Sequence, residues 1–287
     1  MQYILMQSAP CAFNKLEAYL ESLFGASNTT ASDTDIEEHN VTILDARKHN
    51  PGWFHETGFT LITLDKEPAT TDWRTSFHQN DSPDILHFHE QMEPHIRELY
   101  PDVKKILFTF NAVRGGDTFG DLPRAVARPH LDYHQDDEAR QEFHQEFPVL
   151  EAPRSEIKLM MEEMDDDEHK LGVILGVWKP LAPEKVCDYP LAVMDTRSFH
   201  PENLSKNKLH ITFMPGITLH NLNGAISHDK AQRWYYYSHQ NTREVLVFHQ
   251  YSKGKWFNNP HTSFLNKNCP KNSGERVSVE MRVGLFF

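Results

Sequence analysis

Apolar residues recur at helical spacing in two stretches of the first hundred residues. Phe13, Leu16, Leu20 and Leu23 share one face and predict an amphipathic helix over 13–24. Ile85, Phe88, Met92, Ile96 and Leu99 do the same over about 84–99, where Pro94 is expected to kink the helix. A more polar helix is expected over about 136–147. Between and after these stretches the pattern changes to short runs of β-branched and aromatic residues: Lys104–Phe110, Leu171–Trp178, Leu191–Met194, Lys208–Phe213, Trp234–Tyr237, Glu244–Phe248 and Val277–Phe286. Turn residues separate them, and they concentrate in the second half of the chain. Strands so arranged predict a sandwich or barrel of the jelly-roll type with helices packed outside, an α+β chain with a mainly β core. No composition shift marks a boundary, so 1–287 reads as one domain, with an α-rich part over 1–105 buttressing a β core over 106–287. Ala26–Asp35 has almost no apolar content and reads as a mobile loop. The segment 154–169 ends in the acidic run Glu162–Glu168; it lacks the glycine and final glutamate of an EF-hand loop and reads as a solvated helix end or loop.

Composition narrows the function classes. The 29 basic and 41 acidic residues give a net charge of −12, and no Lys/Arg cluster stands out, which argues against nucleic acid as a partner. No apolar run approaches the ~20 residues of a membrane span. The start, Met1–Gln7, lacks the charged n-region and long apolar stretch of a signal peptide. Three cysteines far apart form neither a disulfide framework nor a Cys-only zinc site, so the expectation is a reduced, cytoplasmic protein. G-x-S-x-G, P-loop and G-x-G-x-x-G motifs are missing, which weakens serine hydrolysis and nucleotide binding as readings. The unusual count is 18 histidines, which directs attention to metal chemistry.

Two imidazoles and one carboxylate on one side of a metal leave open positions, the arrangement of non-haem Fe(II) oxygenases. On a strand, residues i and i+2 point the same way, so a His-x-Asp/Glu pair supplies two ligands from one strand end. The pair alone is weak evidence, because this composition yields roughly two or three by chance. The chain has four: His130/Asp132, His134/Asp136, His144/Glu146 and His200/Glu202. His144/Glu146 falls in an expected helix, where i and i+2 diverge. His200/Glu202 sits in a polar turn, and His134/Asp136 where the chain turns acidic and helical. His130/Asp132 follows Ala125–Pro129, an extended run in which Pro129 disfavours helix at Arg128. That is the strand-end setting the geometry needs. Late in the chain, Pro260–Phe264 offers His261 at the start of one strand, and Arg276-Val-Ser278 opens the next. An Arg there can fork onto a carboxylate, with the Ser hydroxyl facing the same way.

These residues resemble a group of non-haem iron oxygenases that includes the cephem methoxylase hydroxylase component, the gibberellin-desaturase-like proteins and the AsaB-type fungal hydroxylase/desaturases. The resemblance spans roughly 106–287. It is carried by Phe110–Arg114, Pro129-His-Leu-Asp132, Val177–Leu181, Pro190–Asp195, Trp234–Tyr237, Glu244–Phe248, Pro260–Phe264 and Arg276–Arg282. It implies a double-stranded β-helix that uses Fe(II), 2-oxoglutarate and O2. It also implies His130, Asp132 and His261 as iron ligands, with Arg276 and Ser278 anchoring 2-oxoglutarate. The chain departs from the family pattern at Gly176-Val-Trp-Lys179, where the family often has Asn-x-Trp-Arg; Lys179 keeps the charge without the planar fork. Around the site, Asn111 and Arg114 either line it or hold a strand end. Trp178 is core or a substrate platform. Either Tyr236 or its two neighbours face inward. Arg282 shares the strand face of Arg276 and could bind substrate, hold the co-substrate or pair with Glu280. The resulting expectation is an oxidoreductase that hydroxylates, desaturates or cyclises a small organic molecule. A catalytically idle cupin-like barrel and a zinc hydrolase are the alternatives.

Overall fold

The computed structural model describes residues 2–6, 39–66, 83–115, 125–136, 138–139, 150–151, 170–182, 185–214 and 217–287. The helix expected over 13–24, the loop at 26–35, the acidic segment 154–169 and most of the helix expected over 136–147 lie outside these residues.

Two sheets carry the described structure. The larger is built, edge to edge, from β1 (Gln2–Met6), β2 (His39–Asp45), β11 (Trp234–Tyr236), β8 (Leu191–Met194), β13 (His261–Ser263), β5 (His130–Leu131), β10 (Ile217–Ile226) and β6 (Leu150–Glu151), with β9 (Leu204–Met214) also paired to β10. The smaller runs β3 (Phe59–Thr63), β12 (Glu244–Ser252), β7 (Leu171–Ala182), β14 (Val277–Phe286) and β4 (Lys105–Arg114). Pairing is antiparallel except between β11 and β2. Two α-helices are placed among the described residues: the single turn α1 (Phe54–Thr57) and the long α2 (Pro83–Leu99).

Alternation along the strands divides the apolar side chains among three layers. On β14, Val277, Val279, Met281, Val283 and Leu285 face one way, and they meet Leu175, Val177, Val245 and Val247 from β7 and β12. Helix α2 covers this layer with Ile85, Phe88, Met92 and Ile96, all fully buried at helical spacing. Pro94 sits inside the helix, which continues to Leu99. The opposite face of the smaller sheet meets the larger one. Trp178, Leu246 and Phe248 pack there against Leu191, Val193 and Tyr235. The outer face of the larger sheet forms a third layer with Val41, Ile43, Met194, Trp234, Tyr236 and Phe264. The β-rich, layered architecture read from the strand signals is therefore present.

Strand pairing also crosses residue 105. Strands β1, β2 and β3 all precede it, and they join both sheets. The alternation of Val41 and Ile43 is a strand signal over too few residues to compete with helical periodicity nearby, and only pairing with β11 makes it decisive. Of the expected N-terminal helices, α2 alone falls within the described residues.

Candidate metal centre

The strands bring three distant residues to one point between the sheets. His130 opens β5 directly after Pro129, whose preceding residue is held extended. In register, His130 stands opposite His261 of β13 on one side and Ala225 of β10 on the other. Directly opposed residues of antiparallel strands point to the same face. The two imidazoles therefore lie together, ring centres 4.3 Å apart. Asp132, two residues on, projects from the same side. Its Oδ1 is 3.4 Å from His130 Nε2 and its Oδ2 is 3.6 Å from His261 Nε2. One ligand atom from each of His130, Asp132 and His261 lies within 4.8 Å of the others, the one such cluster among the described residues.

The ring tautomers follow from the hydrogen bonds. His130 Nδ1 faces the Arg128 carbonyl at 2.8 Å, and His261 Nδ1 faces the Asn259 carbonyl at 3.2 Å. A carbonyl can only accept, so each Nδ1 donates and each Nε2 offers its lone pair toward the cluster. The Asn259 side chain fastens this end of the chain. Its amide nitrogen donates to the Thr57 and Met194 carbonyls, at 2.9 and 2.8 Å, and its oxygen accepts the His249 amide at 3.0 Å. Gly58, at φ +85°, must lack a side chain here, since a Cβ would lie 2.4 Å from that oxygen.

Burial and charge split the two histidines. Burial lowers His261 to about 4, reinforced by the neighbouring His130. His130 is lowered by burial too, but the hydrogen bond and charge of Asp132 outweigh this and leave it raised above the ordinary 6.5. Burial pushes Asp132 up, yet the charges of Arg282 and both histidines bring it well below 3.8. A metal requires both imidazoles neutral, so protons compete for the site. The sign follows: the proton on His130 competes as pH falls through its raised value, whereas His261 stays neutral down to about 4. Metal affinity should fall about tenfold per pH unit once pH drops below the raised value of His130, a one-proton slope, and more steeply below about 4. Calorimetric metal titrations at several pH values check this, and a two-proton slope at pH 6 would contradict it.

On β14 the residues between the helix-facing valines point to the other side, so Ser278, Glu280 and Arg282 face the larger sheet. Arg276, just before the strand, is 4% exposed; its guanidinium lies 5.6 Å from the centre of the Trp178 ring and donates to the Tyr189 carbonyl at 2.5 Å. Arg114 is paired in register with Ser278 and therefore shares its side. Trp178 lies between the sheets. Lys179 does not reach the site: it is paired with Val279 on the helix side, with its Nζ on the Pro180 carbonyl at 3.0 Å. Tyr236 does not either; it packs edge-on against Phe264 at 5.2 Å on the outer face, and Tyr235 points inward instead. In both cases alternation allows only one of two neighbours to face in. Asn111 stands on β4 opposite Met281. His134 and Asp136 are used locally: the Asp136 amide donates to His134 Nδ1 at 3.2 Å, and the Asp136 carboxylate accepts the Ala139 amide at 3.0 Å. Sequence reasoning missed Asn259 and Phe248, whose ring lies 4.9 Å from that of His261. The Asn258-Asn259-Pro260 turn before His261 was the available signal for the first.

A family model described as oxidoreductase/YMDC permease-like domain matches residues 14–286. Among the described residues, no helix is long and apolar enough to cross a membrane. Aspirochlorine biosynthesis protein N of Aspergillus oryzae is 32% identical over 146 residues, 48% of this chain and 58% of that protein. The Fe(II)/2-oxoglutarate-dependent dioxygenase nvfI of Aspergillus novofumigatus is 32% identical over 122 residues, 39% of each chain. The chain thus spans about half the length of the curated relatives it matches. The solved structure of the iron and alpha-ketoglutarate-dependent endoperoxidase NvfI superposes with a TM-score of 0.63 at 20% identity, covering 87% of this chain and 86% of that one, so the fold is shared. With a family match across almost its whole length, the chain belongs to the oxidoreductase/YMDC permease-like domain family.

Proposed function

We propose that this protein is an Fe(II)/2-oxoglutarate-dependent oxidoreductase that oxidises a C–H bond of a small organic molecule, in a single domain built as a double-stranded β-helix. The observation that carries the reading is the His130–Asp132–His261 cluster, with both Nδ1 protons tied to backbone carbonyls and both Nε2 atoms directed to one carboxylate. Two imidazoles and a carboxylate suit Fe(II) and leave coordination positions open. The names of the relatives, a dioxygenase and an endoperoxidase, support the same class. They favour turnover over an idle cupin-like barrel or a zinc hydrolase.

When bound, iron and 2-oxoglutarate would supply the oxidising power drawn from O2, with 2-oxoglutarate converted to succinate and CO2. The protein's own residues do the positioning. His130, Asp132 and His261 hold the metal. Arg276, stacked on Trp178 with Ser278 beside it, receives the far carboxylate of 2-oxoglutarate. Arg282 is the weaker candidate for that role, because its two terminal nitrogens are engaged by Asp132 and Glu280. Phe248 and Trp178 form an apolar wall beside these residues. Hydroxylation, desaturation and ring closure are all compatible with this wall, as is the peroxide chemistry named for the structural relative.

The test is a 2-oxoglutarate titration of anaerobic Fe(II) protein, followed by succinate release in air. Lys at position 276 keeps the charge and loses the fork. A charge-assisted hydrogen bond contributes roughly 1.5–3 kcal/mol. Arg276→Lys should therefore weaken 2-oxoglutarate at least tenfold, at about 1.4 kcal/mol per decade, while leaving metal affinity unchanged. Wild-type affinity in Arg276→Lys would remove the anchor, and no 2-oxoglutarate binding by wild type would remove the proposed function.

A further inference from the structure

Arg282 is 150 positions from Asp132 in sequence, yet its Nη2 donates to Asp132 Oδ2. Its Nη1 donates to Glu280 Oε1 at 2.6 Å, and the same oxygen accepts Gln250 Nε2 at 3.1 Å. The three side chains form a buried brace that ends on the carboxylate of the metal cluster. The backbone makes room for it. Arg282 is paired in register with Gly176 of β7, where a Cβ would lie 2.8 Å from Gln250 Nε2. A side chain at 176 would displace the amide that fastens Glu280.

We propose that Arg282 is a positioning residue that holds Oδ2 of Asp132 and so presents Oδ1 as a one-oxygen ligand beside His130, with Glu280 and Gln250 fixing the guanidinium in turn. The inference rests on the metal-site reading above and adds to it. The geometry requires a planar fork. One terminal nitrogen must reach Asp132 and the other Glu280, 2 residues away along the same strand face. Lysine has one nitrogen on a flexible stem and cannot span both with fixed direction. Partners of this kind, which orient a metal ligand, typically contribute 10–100-fold in metal affinity.

Charge and positioning predict opposite results, which makes the proposal testable. A cation beside a divalent metal repels it. If Arg282 acted by charge alone, Arg282→Gln would tighten metal binding and Arg282→Lys would leave it unchanged. If it positions Asp132, both variants bind more weakly. The experiment titrates metal-free protein with Co(II) by calorimetry and records the Co(II) absorption spectrum, which responds to ligand geometry. Wild type, Arg282→Lys, Arg282→Gln and His261→Ala are compared. The expected result is at least tenfold weaker Co(II) binding in both Arg282 variants, with an altered band pattern in Arg282→Lys. If one of them fails to fold, the other still decides by the sign of its change. Wild-type affinity and spectrum in Arg282→Lys, or tighter binding in Arg282→Gln, overturns the proposal while the metal site stands. Co(II) binding by His261→Ala equal to wild type overturns the metal-site reading itself, and this inference with it.

Discussion

His261→Ala is expected to weaken Fe(II) binding at least a hundredfold while the metal-free protein keeps its fold. Removing one of the three proposed ligands would eliminate a direct metal bond, and a hundredfold corresponds to about 3 kcal/mol at ~1.4 kcal/mol per decade. The fold should survive because His261 contributes a hydrogen bond to the Asn259 carbonyl and a ring contact to Phe248, whereas the Asn259 clamp does not involve its side chain. The measurement pairs an anaerobic Fe(II) titration with circular dichroism of the metal-free protein. His134→Ala is the control. Its ring serves the local Asp136 amide, so iron affinity should stay near wild type. If His134→Ala abolished iron binding and His261→Ala did not, the ligand set would be the other His-x-Asp pair.

Phe248→Ala is expected to cost about 3–5 kcal/mol of stability, the range for deleting a buried aromatic ring. Phe248 is fully buried between the sheets among Phe59, Trp178 and Leu246, and it also backs the His261 ring. The site has little freedom to collapse, because it is framed by paired strands on both sides. Gly176 is the complementary part of the arrangement: a Cβ there would come within 2.6 Å of the Phe248 ring. Gly176→Ala should therefore be costly alone and less costly in the Phe248→Ala background, a coupling that a double-mutant cycle measures. Urea unfolding of the four metal-free proteins gives the numbers. Additive losses would show that the ring and the glycine do not share space.

Part of this molecule is legible one residue after another. The periodicity of Ile85, Phe88, Met92 and Ile96 marks a helix with one apolar face, since 3.6 residues per turn is a property of the chain itself. The alternation in Val277–Leu285 marks a strand with two unlike faces, one apolar and one bearing Ser278, Glu280 and Arg282. Pro129 before His130 marks an extended entry, and Arg276-x-Ser278 marks two polar groups on one side. These are local facts, so local sequence contains them.

Other features depend on which strands meet, and local sequence does not contain that. A period of two says that Tyr235 and Tyr236 face opposite ways, as do Trp178 and Lys179, but the direction of each is set by the sheet packed above or below. Strands β2 and β3 gain their place from pairing with β11 and β12. The bond from Arg282 to Asp132 joins the last strand to residues 150 positions earlier, so no spacing rule predicts it. The sequence by itself determined the kinds of side chain available and the faces they share: two imidazoles, carboxylates and two arginines on strands or at their ends. Only the tertiary structure decided which of them converge. A ligand cluster or a brace is a relation between strand registers, and register is fixed by long-range burial and hydrogen bonding rather than by any one segment.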